Sequence, residues 1–169
     1  MNIIKIVTLV TLSMSTLFSA DVVNIPRMSM ELAMKVADEA VKSCRAKGYW
    51  VSAVVVDRSA NTQVVLRDTH AARFTIDIAE QKANLVIMSG IDTSAFVPKR
   101  NDIRNELNNI DGIIMMQGGV GIKSGDTLLG AVGVSGAPGG DIDESCATEA
   151  LKRLQERLAF ALLAGDDEE

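Results

Sequence analysis

A single stretch, Gly130-Ala131-Val132-Gly133-Val134-Ser135-Gly136-Ala137-Pro138-Gly139-Gly140, runs from small and apolar residues straight into a glycine-rich loop, and Asp143-Glu144-Ser145-Cys146-Ala147 follows it. The pattern predicts a strand, a tight loop and a helix in immediate succession. Glycines let a backbone approach a ligand, another segment or a neighbouring chain closely. The first N–H groups of the following helix converge where the loop ends, so an anion site and a packing role both remain open here.

The chain has 169 residues and is 47% hydrophobic, enough for one domain with a core that needs no disulfide staples. Its formal net charge is −5, and it shows no clustered Lys/Arg face, which excludes a nucleic-acid partner. Residues 1–20 carry Lys5 and then an apolar run through Phe18 to Ala20, and they read as a secretory signal peptide cleaved after Ala20. Phe18 stands where a second small residue is usual, so an uncleaved anchor is the alternative. Residues 21–169 are then the mature domain, expected to be periplasmic or secreted, with no integral membrane role once cleaved. In an oxidising compartment Cys44 and Cys146 can pair, or each can be a small buried apolar residue.

Ser29 is a suitable N-cap for a helix in which Met30, Ala33, Met34, Ala37, Val41 and Cys44 fall on one face, and Gly48 ends it. Trp50–Val56 and Gln63–Leu66, separated by the turn residues of Asp57–Asn61, predict a hairpin whose first strand is central. Thr75–Ser89 has Ile76, Ala79, Ala83, Val86 and Ile87 on one helical face. Residues 90–109 read as an irregular excursion broken at Pro98, with a short polar helix from Lys99 to Leu107. Ile113–Gln117, Val120–Lys123 and Leu128–Ser135 predict three more strands. Asp141 or Asp143 caps the last helix, with Glu144 in its first turn and Ala147, Ala150, Leu151, Leu154, Leu158 and Leu162 as its buried stripe. The expected result is one α+β layered domain with a five-stranded antiparallel sheet and a solvated tail at Asp166–Glu169.

His70 is the one histidine, within Arg67-Asp68-Thr69-His70-Ala71-Ala72-Arg73. A loop histidine can ligate haem iron through a neutral ring nitrogen, with Arg67 or Arg73 close enough in sequence to meet a propionate; it can equally be a surface residue bonded to loop backbone. One histidine and two distant cysteines do not make a zinc site. Gly133-Val134-Ser135-Gly136-Ala137 lacks the order of a nucleophile elbow, and Gly118-Gly119-Val120-Gly121 lacks that of a dinucleotide loop. Lys82 has Ile78, Ala79, Leu85 and Val86 three and four residues away, so its stem either snorkels along an apolar face or its ammonium meets an anionic ligand. Met115 and Met116 point to opposite faces of their predicted strand, which leaves Met115 as a conceivable core residue, pocket wall or axial ligand.

Three blocks carry a family likeness: Thr75-Ile76-Asp77-Ile78-Ala79 with Lys82-Ala83, Gly130 to Ala137, and Asp143-Glu144-Ser145-Cys146-Ala147. With them the chain resembles the GlcG/HbpS-like haem-binding family, related to the C-terminal domain of PduO-type adenosyltransferases, over nearly all of the mature sequence. The resemblance implies a profilin-like α/β/α fold, self-association into homo-oligomers, and haem or another tetrapyrrole as ligand. The chain departs from the glycine-containing form of the arginine loop by carrying Thr69-His70. The expectation is an exported haem-binding protein rather than an enzyme, used in haem sensing, storage or handling. His70 is the candidate iron ligand, and Arg67, Arg73, Lys82 and Met115 are further candidates for cofactor binding. The alternative is a small enzyme or sensor for an anionic metabolite held near the glycine-rich loop by the helix amino end and Lys82.

Overall fold

The hydroxyl of Ser29 accepts the N–H of Leu32 and starts helix α1, Met30–Ala46, as expected. Gly48, at φ 84°, stops it, with the Gly48 and Tyr49 N–H groups returning to the carbonyls of Arg45 and Cys44. The buried stripe is Leu32, Ala33, Val36, Ala37, Ala40, Val41 and Cys44. Met30 and Met34, expected on that stripe, are exposed instead, because the face turned to the sheet lies one residue further round.

The computed structural model describes Val23 and residues 25–161; the predicted signal segment, Leu162 and the acidic tail lie outside the described residues. Strands β1 (Ser52–Asp57), β2 (Thr62–Arg67), β3 (Gly119–Ser124) and β4 (Thr127–Ser135) form one antiparallel sheet in the order β2-β1-β4-β3. All six residues of β1 are buried, which confirms it as a central strand. Helix α1 and helix α5 (Gly140–Arg153) cover one face of the sheet, and helix α2 (Phe74–Ser89) covers the other, giving the three-layer α/β/α arrangement. No helix among the described residues is long and apolar enough to cross a membrane.

The sheet has four strands, not five, because Ile113–Gln117 is not a strand. Side chains take the backbone groups a ladder would use there: the Met115 N–H donates to Asn108 Oδ1 at 2.8 Å, and its carbonyl accepts from Arg104 Nη1 at 2.7 Å. The excursion also differs from expectation. Helix α3 (Thr93–Lys99) runs through Pro98, and a 3-10 turn at Asn101–Ile103 leads into the one-turn α4 (Arg104–Leu107). The last predicted helix is two, since α5 ends at Arg153 and the turn at Leu154 redirects the chain into α6 (Gln155–Phe160).

The glycines of β3 and β4 belong to packing. A methyl group on Gly133 would run into the carbonyl oxygen of Ala79, and one on Gly119 into that of Lys82. Helix α2 thus lies against the sheet in direct backbone contact, which side chains at those positions would prevent. Cys44 of α1 and Cys146 of α5 are joined in a disulfide buried between the two helices, and this resolves the alternatives left by the sequence.

Candidate functional site

The loop that joins β2 to α2 is held at both ends. Asp68 is buried and takes the guanidinium of Arg45, from α1, on its carboxylate, while its N–H donates to the Val51 carbonyl at 3.0 Å. Arg67 turns back onto the loop and donates to the carbonyls of Asp68, Thr69 and Ala71. At the other end, the Thr75 and Ser52 hydroxyls stand 2.8 Å apart, and Thr75 also reaches the Ala72 carbonyl at 2.7 Å. These bonds fix the backbone from which His70 projects.

His70 is exposed, and its ring meets the Trp50 indole edge to face at a centroid distance of 5.2 Å. The Arg73 guanidinium lies 4.4 Å above the Phe74 ring. Trp50 is 49% and Phe74 60% exposed, unusual for the largest apolar side chains unless something covers them. Arg67, Trp50, His70, Arg73 and Phe74 thus make a polar-aromatic patch at one end of the sheet. His70 lines none of the cavities formed along α5 and α6, beside the start of α1 or against Met115.

Lys82 and Met115 are elsewhere. Lys82 is 1% exposed, and its Nζ donates to Asp143 Oδ2 at 2.7 Å and to the Val134 carbonyl at 2.9 Å. The ammonium does not snorkel to water, and the anion it meets is the Asp143 carboxylate of α5. Burial pushes the Asp143 carboxyl above its ordinary value, against the pull of the Lys82 ammonium. Met115 is buried with Leu85, Val97 and Leu107 and stands apart from the His70 loop, whereas Met116 is exposed.

The acids expected to cap the last helix do not cap it. Gly139 is the N-cap and contributes no side-chain bond. Asp143 instead accepts the Ala137 N–H at 3.0 Å besides Lys82, and Glu144 accepts from the Thr93 hydroxyl at 2.7 Å, the Ser94 N–H at 3.2 Å and the Gly118 N–H at 3.1 Å. Thr93 Oγ1 itself accepts the Gly118 and Gly119 N–H groups, each at 2.9 Å. One buried polar network therefore ties α2, α3, α5 and the two strands together. Its signal in the sequence is a lysine whose helical neighbours are all apolar, which demands a distant acid, and two acids set among small residues. With Lys82 spent and Asp141 and Asp143 at the helix start, the glycine-rich loop lacks the free cation an anion site there was expected to use.

The model of the HbpS-like family, described as haem degrading protein HbpS-like, matches residues 28–152. The chain belongs to the HbpS-like family. The crystal structure of HbpS is 32% identical to this HbpS-like chain, with a TM-score of 0.74 over 80% of this chain and 96% of that one. That of a double mutant of Streptomyces reticuli HbpS has the same identity and TM-score. The Klebsiella pneumoniae protein ORFY, of family DUF336, shares the fold at 24% identity, with a TM-score of 0.69 over 81% of this chain and 97% of that one. The PduOC haem complex also shares the fold, at 18% identity and a TM-score of 0.66 over 75% of this chain and 94% of that one. No curated protein sequence matches the chain.

Proposed function

We propose that this HbpS-like chain is an exported protein that binds haem on the patch around the β2–α2 loop. The observation that carries the reading is the chain's one histidine standing exposed, on a pinned loop, against the exposed ring of Trp50. The donor set fits the group: an imidazole nitrogen for iron, aromatic faces for the macrocycle and a guanidinium for a propionate. Arg73 takes the last role. Arg67, already bonded to three carbonyls of the loop, holds His70 in place. Lys82 and Met115 have no part in this site. Haem, when bound, would supply a redox-active iron at the surface of the sheet.

The family description is the ground for choosing haem over other tetrapyrroles. The Cys44–Cys146 disulfide supports export, since such bonds persist in oxidising compartments. Titrating the purified protein with haemin gives a saturable Soret shift, and His70→Ala raises the dissociation constant by about tenfold or more. Absence of saturable binding overturns the haem reading, and binding unchanged in His70→Ala overturns the ligand assignment.

A further inference from the structure

The two edges of the sheet are treated differently. The outer edge of β3 is closed by side chains: the Gly121 N–H donates to Asp92 Oδ1 at 2.9 Å, and the Gly118 and Gly119 N–H groups are taken by Thr93. The outer edge of β2 has no such cover. The Asp68 N–H donates to the Val51 carbonyl, and the register pairs Ala53 with Leu66 and Val55 with Val64. In an antiparallel ladder inward and outward positions alternate, so Val64 and Leu66 bond to β1 while the N–H and C=O groups of Val65 and Arg67 face away from the sheet. No described residue bonds those outward backbone groups. Native sheets seldom leave an edge open without charge, proline or cover, because it is a template for another strand.

The flanks of this edge are apolar and carry complementary charge. Val65 is 43% exposed, and Met30 and Met34 are 58% and 49% exposed on α1, which runs beside β2 from the Gln63–Met28 bond to the Arg45–Asp68 pair. Arg67, opposite Ser52, is at one end of the strand on the face covered by α2, and it has no carboxylate partner among the described residues. Glu80 of α2 is at the other end, accepting from the Thr62 hydroxyl at 2.6 Å, with no cation partner among the described residues. Two copies of β2 laid antiparallel bring each Arg67 to the other chain's Glu80.

We propose that the β2 edge pairs antiparallel with the β2 edge of a second copy of this chain, so that one sheet continues across both. Gln63 is the extra residue of a bulge, where Val55 and Val56 face Val64 and Thr62, and it confines the shared ladder to Val64–Arg67. Side-chain contacts across the flanks must then supply much of the affinity. The surface does not depend on haem.

Light scattering on the purified protein up to about 100 μM shows a concentration-dependent dimer or a multiple of it, and the Val65 and Arg67 amides exchange more slowly in concentrated than in dilute solution. Val65→Pro removes an outward N–H and leaves the β1 ladder intact, so it weakens association at least about tenfold while the circular dichroism of the monomer is kept. Should the proline variant fail to fold, Val65→Lys gives the same result by charge. Arg67→Glu weakens association, and adding Glu80→Arg restores it. A protein that stays monomeric throughout, or one whose association is undiminished by both Val65 variants, overturns the proposal.

Discussion

Asp57 organises the β1–β2 turn almost alone. Its Oδ1 accepts the Ser59 N–H at 2.7 Å and the Asn61 N–H at 2.9 Å, and the Asn61 amide and the Arg27 guanidinium approach its other oxygen. Burial pushes this carboxyl up, but the hydrogen bonds from Asn61 and Ser59, helped by Arg27, outweigh it and hold the group below the ordinary aspartate range. The unfolded chain then binds a proton at a higher pH than the folded one. The stability Asp57 contributes is therefore complete above its unfolded pKa, about 4, and is lost as pH falls through the lower folded value. Denaturation midpoints measured across the acid range should show a shallower pH dependence in Asp57→Asn than in the parent. A flatter profile in the parent would refute the assignment.

At the scale of elements, the Lys82–Asp143 pair is what locks α2 to α5 through the sheet. Removing one member leaves an uncompensated buried charge, so Lys82→Met is expected to cost about 3–5 kcal/mol in urea unfolding. Adding Asp143→Leu recovers much of that loss, less about 1–3 kcal/mol for the Ala137 N–H it leaves without an acceptor. An equal loss in the single and double variants would show that the pair is not the source of the effect. The elements whose signals are local were legible from residue order: the Ser29 cap, the Gly48 stop, the central β1 and the α2 stripe. Ile113–Gln117 has the composition of a strand, yet its backbone partners are the side chains of Asn108 and Arg104, and no periodicity announces them. The loop with His70, Arg67 and Arg73 was legible because its members are neighbours in the chain. The Lys82 network was not, because its acid lies 61 residues away and only the fold brings it close. The glycines of β3 and β4 were visible as a device for close approach, but what approaches them is the protein's own helix.

For the molecule as a whole, the sheet separates two regions that the sequence could not order in space: the His70 patch at one end of β2, and the α3–α4 excursion packed against Met115 beyond β3. The two helices on one face are held by the Cys44–Cys146 bond, whose partners are 102 residues apart. Replacing both cysteines with alanine should lower unfolding stability by about 2–5 kcal/mol, measured against the oxidised parent, and a change near zero would assign the hold to helix packing alone. The bond has a topological effect as well. It closes the polypeptide into a loop that contains the entire sheet, α2 and the excursion, leaving outside it α1 up to Ser43 and the chain from Ala147 onward. A protease that cuts within the excursion therefore opens the backbone without releasing a fragment. The two pieces of the nicked molecule stay covalently joined until a reductant reaches a sulfur pair that both helices bury.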